Sequence, residues 1–216
     1  MKCIFAEAQY TGRIQLGKEA EKLPQKIGLI TTAQFTNQLS GIKKEIEKTG
    51  RIVLVSKGKQ KCPGQVLGCE CSAATALKKK VDAYLYIGTG EFHPITVAMQ
   101  TGKTVYVFSP FGKLEKLDKN EIEKIENKKR GAYLKYLNAE HIGIITTTKP
   151  GQNKLKKAFE LKEKLEKQGK KVYVFAGNTI NFESLQDFNF VEAWVNTACP
   201  RIAEDFACIN ADEILI

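Results

Sequence analysis

A chain of 216 residues with 43% hydrophobic content is long enough to bury a substantial core in one or two domains. Its 34 basic and 24 acidic side chains give a net charge of +10, a field that favours nucleic acid, ribonucleoprotein or acidic protein, although lysine-rich stretches such as residues 154–171 also read as solvated helix faces. No basic stretch is interleaved with aromatics in the way that stacks bases, and no window approaches the roughly 18 apolar residues of a membrane span, so neither base stacking nor a membrane-spanning segment is expected.

The first residues, Met1-Lys2-Cys3-Ile4-Phe5-Ala6-Glu7, reach an acid after four uncharged positions and hold no apolar core of signal-peptide length. A soluble, cytoplasmic protein is expected, and its six cysteines should be metal ligands, catalytic groups or small buried hydrophobes rather than disulfides. Cys3-Ile4-Phe5-Ala6 reads as a short strand ending an α/β unit whose beginning is missing. Residues 1–24 are therefore expected to be the remnant of a further N-terminal domain.

From there the chain runs twice through one pattern. Ile27-Gly28-Leu29-Ile30-Thr31-Thr32 reads as a buried parallel strand, and His141-Ile142-Gly143-Ile144-Ile145-Thr146-Thr147 repeats it. Each is followed by a helix, carrying Ile42 and Ile46 in the first copy and Leu155, Phe159, Leu161 and Leu165 in the second. The helices end at Gly50 and Gly169, where a positive φ suits glycine. Second strands are expected at residues 51–56 and 171–175. Third strands follow at residues 81–87 and 191–195, both with an acid, an alanine and an aromatic in that order: Asp82-Ala83-Tyr84 and Glu192-Ala193-Trp194. Residues 106–109 read as one more strand and residues 113–136 as a charged helical connector. The pattern predicts an α/β fold of two repeated small domains, 25–140 and 141–216, with mainly parallel sheets and helices on the faces. In such folds the functional loops lie at the C-terminal strand ends, here residues 88–94 and 197–201.

Two cysteine motifs and one glycine motif stand out against this background: Gly64-Gln65-Val66-Leu67-Gly68-Cys69, Ala198-Cys199-Pro200-Arg201, and Gly88-Thr89-Gly90-Glu91-Phe92-His93-Pro94 between them. In that order, around those repeats, they resemble the diphthamide synthase family, the first-step enzymes that make 2-(3-amino-3-carboxypropyl)histidine on translation elongation factor 2. The resemblance runs from about Phe5 to Ile216. It implies three related α/β domains that each send one cysteine to a 4Fe-4S cluster, whose open iron binds S-adenosylmethionine for release and transfer of a 3-amino-3-carboxypropyl group. Cys69 and Cys199 match the family's second and third ligands, and thiolates suit such a cluster.

The first ligand belongs to the domain of which only a last strand is expected, and Cys3 does not match its motif. A homologous subunit, or a homodimer, could supply the missing ligand; Cys71 or Cys62 could complete the site within the chain; or the chain could be a supporting subunit that keeps a partner's cluster competent. The plainer reading of Cys62, Cys71 and Cys208 is free thiols. Gly88 and Gly90 would let backbone approach the cofactor, His93 could orient cofactor or substrate, and Arg201 could pair with the cofactor's carboxylate. As plain chemistry, a histidine beside proline such as His93 is more often a satisfied loop residue, and Arg201 is equally half of a salt bridge. Thr147-Thr148-Lys149-Pro150-Gly151-Gln152-Asn153 stands where the family has an arginine-glutamine-glycine turn, so no cofactor contact is assigned to it. No flavin or nicotinamide fingerprint is present, so electrons are expected from an external donor.

Overall fold

The computed structural model describes residues 8–214; the strand expected at Cys3-Ile4-Phe5-Ala6 lies outside them. By its internal contacts the chain divides into two compact units, Met1–Ile122 and Glu123–Ile216. The domain limits read from the sequence, 25–140 and 141–216, stay a proposal for the repeated units; the division by contacts falls within helix α4 (Lys119–Asn138), whose Tyr136 enters the second core.

The first unit is built from β1 (Lys26–Thr31), α1 (Leu39–Glu47), β2 (Ile52–Leu54), α2 (Ser72–Thr75), β3 (Ala83–Ile87), α3 (Phe92–Thr101), β4 (Thr104–Phe108) and β5 (Leu114–Lys116). Its sheet has the order β2-β1-β3-β4-β5, parallel except for β5. The central strands are apolar on both faces, as helix-covered parallel strands must be, and every residue of β3 is buried. Ile42 and Ile46 of α1 are at most 1% exposed and close the core over Ile27, Leu29, Leu85 and Ile87. Each such burial contributes about 1.5–3 kcal/mol.

The second unit repeats the plan with β6 (His141–Thr147), α5 (Leu155–Lys167), β7 (Lys171–Gly177), α6 (Phe182–Gln186), β8 (Ala193–Asn196), α7 (Ile202–Asp205) and β9 (Ile209–Asn210). Its sheet is wholly parallel in the order β7-β6-β8-β9.

The repeated acid-alanine-aromatic triplet has a structural cause. Gly28 pairs with Tyr84 and Gly143 with Trp194 on the neighbouring strand. A Cβ on either glycine would stand 2.6 Å from the Tyr84 ring or 2.5 Å from the Trp194 ring, so the ring lies where a side chain would be. The acids before them hold the start of the central strand: Asp82 Oδ2 accepts from Lys26 N at 2.9 Å, and Glu192 Oε2 accepts from Glu140 N at 2.5 Å and His141 N at 3.1 Å.

Three elements depart from the sequence reading. Residues 113–136 are not one helical connector, because Leu114 packs on the first core while Lys113 and Glu115 point outward, the two-residue period of a strand. The second strand of the first unit stops at Leu54. The β3–α3 loop is shorter than expected because helix begins at Phe92; Pro94 is tolerated there, since first-turn N–H groups have no helical partner.

Candidate functional site

The C-terminal end of β1 determines where Cys69 stands. Beyond Gly28 the neighbour of β1 is no longer β2: Thr31 N donates to Gly64 O and Val66 N donates to Thr31 O, both at 2.8 Å, so residues 64–66 take the place of the strand that peeled away. Gly64 has φ +72, and a Cβ there would stand 2.6 Å from Leu39. Gln65, 8% exposed, accepts from Cys62 N through Oε1 at 3.1 Å. Leu67 and Glu70 then exchange two backbone hydrogen bonds, of 2.7 and 3.1 Å, around a two-residue turn. Gly68 and Cys69 are that turn. A Cβ on Gly68 would overlap the Phe92 ring, which ties the turn to the first residue of α3. The Cys69 residue is exposed at the tip.

The glycine motif follows β3 in the same unit. Gly88 N donates to Phe108 O, and Gly88 lies under the Tyr86 hydroxyl, which a Cβ would meet at 2.7 Å. Gly90 turns at φ +76 with open space where a Cβ would stand. His93 sits in the first turn of α3, half-buried, stacked on Tyr86 at 6.0 Å between centroids and edge-on to Phe92 at 5.2 Å. Burial pushes the Tyr86 phenol up to about 12, against a hydrogen bond with Thr32 that works the other way. Phe92 thus joins the Gly68-Cys69 turn to the His93 ring. Sequence reasoning gave no role to Tyr86 or Phe92, although Phe92 lies within the glycine motif and Tyr86 just before it.

In the second unit Cys199 follows β8. The register between the paired strands makes Ala83 equivalent to Ala193, so Asn196 occupies the place of Tyr86 and Cys199 that of Thr89. Asn196 is 2% exposed. Its Oδ1 accepts from Ala198 N at 2.9 Å; its Nδ2 donates to Cys199 O at 2.9 Å and to Asn210 Oδ1 at 2.8 Å. Thr197 fixes the other side, with Oγ1 donating to Ile145 O at 2.9 Å. Cys199 is half-buried. Arg201 is exposed at the N-cap of α7, on the same loop. Asn196 was legible only as a polar residue preceding a loop, where asparagine often bonds backbone two residues on; its partner Asn210 gave no signal.

The remaining cysteines differ. The thiol of Cys71 is buried and donates to Gln100 Oε1 at 2.8 Å; burial, with the nearby Glu70 charge, pushes it up to about 11. Cys208 is buried and pushed up to about 12 by the same cause. Both hold their protons at neutral pH, as inert core thiols do. Cys62 is half-buried beside Pro63. No three His, Cys, Asp or Glu side chains among the described residues form a group that could hold a metal. By donor chemistry, the Cys69 and Cys199 thiols are each of the kind that iron–sulfur clusters take as ligands, and each stands on a loop of its own unit.

Fold and loops together define a repeated parallel α/β protein that carries accessible thiols at its C-terminal strand ends. The family model described as "Putative diphthamide synthesis protein" matches residues 3–207, and the chain belongs to that family. It is 35% identical over 189 residues to the 2-(3-amino-3-carboxypropyl)histidine synthase of Pyrococcus horikoshii, covering 87% of this chain and 54% of that protein. It is 28% identical to subunit 1 of the corresponding Schizosaccharomyces pombe enzyme, over 84% of this chain and 43% of that protein. The crystal structure of Dph2 from Pyrococcus horikoshii with a 4Fe-4S cluster superposes with a TM-score of 0.75 at 32% identity, covering 89% of this chain and 56% of that one. The chain thus spans about half the length of the curated relatives it matches. No helix among the described residues is long and apolar enough to cross a membrane.

Proposed function

We propose that this chain is part of an iron–sulfur, S-adenosylmethionine-dependent 3-amino-3-carboxypropyl transferase that modifies a histidine of translation elongation factor 2 in the first step of diphthamide biosynthesis. The observation that carries the reading is the pair of thiol loops: Cys69 and Cys199 stand at C-terminal strand ends, each on a turn fixed by hydrogen bonds to its own sheet. Family membership and a cluster-containing structural relative support the same chemistry.

Cys69 and Cys199 would each supply a thiolate, with the third from a homologous subunit or a second copy of this chain. When bound, such a cluster supplies an open iron for the amino and carboxylate groups of S-adenosylmethionine and an electron, delivered by an external donor, that breaks a carbon–sulfur bond of the cofactor. This chain's residues position the reactants. The Arg201 guanidinium would pair with the cofactor's carboxylate. Gly88 and Gly90 would admit a ligand against the backbone, and His93, held by its stack on Tyr86, would orient cofactor or substrate.

The test is transfer of isotope from S-adenosylmethionine, labelled in its aminocarboxypropyl group, to elongation factor 2. Under anaerobic reduction, the chain co-purified with a full-length homologue should transfer label, and Cys69→Ala or Cys199→Ala should abolish transfer. Full transfer by both variants would contradict the reading. The absence of a three-ligand group among the described residues also favours a second reading, a non-catalytic subunit that docks the elongation factor or stabilises a homologue's cluster. That reading predicts label transfer insensitive to both cysteines but dependent on the chain's presence.

A further inference from the structure

We infer that Asn196 is a positioning residue for Cys199, held in its working orientation by Asn210; the inference rests on the reading of Cys199 as a cluster ligand. A single carboxamide at the end of β8 grips the backbone on both sides of the Cys199 α-carbon. It accepts from the N–H of Ala198 at 2.9 Å and donates to the carbonyl of Cys199 itself at 2.9 Å. The two bonds fix which end of the amide is which, because the backbone N–H can only meet oxygen and the carbonyl can only meet nitrogen. The second proton on Nδ2 goes to Asn210 Oδ1 at 2.8 Å, so three of the amide's four hydrogen-bonding sites are used in a nearly water-free position.

Asn210 does not choose its role freely. At the end of β9 it forms a capping box with Glu213: its side chain accepts from the Glu213 N–H while Glu213 Oε2 accepts from Asn210 N at 3.3 Å. An oxygen committed to a cap can act toward Asn196 only as an acceptor. The cap therefore reinforces the orientation that the two backbone bonds give Asn196, and Asn196 sets the turn that carries Cys199. Groups that hold a metal ligand's own scaffold in this way govern metal retention by about ten- to a hundredfold.

The chemistry makes the two asparagines unequal under conservative replacement. Asn210→Asp keeps the accepting oxygen and an equally good cap. Asn196→Asp has no donor and would face two acceptors, the Cys199 carbonyl and Asn210 Oδ1, with oxygen. The experiment reads the rate at which iodoacetamide alkylates Cys199 relative to Cys69 in the same reduced, metal-free chain, by peptide mass spectrometry, with iron retention of the reconstituted assembly measured alongside. Asn196→Ala and Asn196→Asp should each change the Cys199:Cys69 rate ratio about fivefold or more, the effect on a local equilibrium of losing one buried hydrogen bond. Asn210→Asp should leave the ratio as in the parent chain. Should the Asn196 variants fail to fold, Asn210→Ala leaves both backbone bonds of Asn196 in place while removing its acceptor together with the cap on Glu213, and should shift the ratio in the same direction.

An unchanged ratio and unchanged iron retention in folded Asn196→Ala or Asn210→Ala would overturn the inference, as would equal effects of Asn210→Asp and Asn196→Asp. A changed ratio together with full iron retention by Cys199→Ala would leave the clamp standing and remove the ligand assignment on which its purpose rests.

Discussion

The two units are built alike at the N-terminal ends of their sheets and differently at the C-terminal ends. In both, an acid pins the start of the central strand and a glycine accommodates a cross-strand aromatic: Asp82, Gly28 and Tyr84 in one, Glu192, Gly143 and Trp194 in the other. Then they part. In the second unit β7 accompanies β6 from His141 to Thr147, whereas β2 leaves β1 after Gly28 and the Gly64-Gln65-Val66 segment takes over beside Thr31. Cys69 accordingly comes from the loop after a second strand and is held by backbone pairing. Cys199 comes from the loop after a third strand and is held by a carboxamide. A repeat can thus keep its packing unit while its thiols arise from non-equivalent loops, because strand ends tolerate change that the strand interior does not.

The shared half of this comparison predicts the largest effects. Gly28→Ala and Gly143→Ala should each destabilise their own unit by about 1–3 kcal/mol, since a methyl group must displace a packed ring. Denaturant melts followed unit by unit check this, and the double variant Gly143→Ala with Trp194→Ala should cost less than the sum of the two single changes. Additive costs would remove the ring-over-glycine account of the repeated triplet.

The differing half predicts effects on metal rather than on folding. Gly68→Ala drives a methyl group into the Phe92 ring and should move the Cys69 turn, lowering iron retention of the assembly about tenfold with little change in the melting of the second unit. Thr89, the first unit's equivalent of Cys199, should accept alanine without loss of iron.

The smallest effect concerns pH. The Glu192 carboxyl is held below the usual carboxylate range by the N–H groups of His141 and Glu140. Its folded value lies below its unfolded one, so its contribution is complete above the unfolded value and is lost as pH falls through the folded value. Between about pH 6 and pH 3, the stability advantage of the parent chain over Glu192→Gln should therefore shrink. A difference that stays constant or grows on acidification would show that these hydrogen bonds do not stabilise the charged form.

How much of this was readable beforehand follows from the range of each interaction. β1, β3, β6 and β8 were legible because buried parallel strands announce themselves as apolar runs, and the repeated glycines and acids fixed their correspondence. β5 and β9, of three and two residues, are too short for periodicity to register. The cysteine motifs were legible as motifs, yet nothing local in Gly64-Gln65-Val66 says that it replaces β2 beside Thr31, since that pairing is decided 34 residues upstream. The clamp on Cys199 was hidden for the same reason: Asn196 and Asn210 are 14 residues apart and meet only because β8 and β9 pair.

The central proposal is that Cys69 and Cys199 each supply a thiolate to an iron–sulfur cluster. Its most direct test is anaerobic iron and sulfide analysis with visible spectroscopy, on the chain alone and co-expressed with a full-length homologue, in the parent and in the Cys69→Ala and Cys199→Ala forms. The account predicts iron and sulfide in the assembly with the charge-transfer absorbance of an iron–sulfur cluster, lost in either variant. Undiminished iron, sulfide and absorbance in both variants would contradict it.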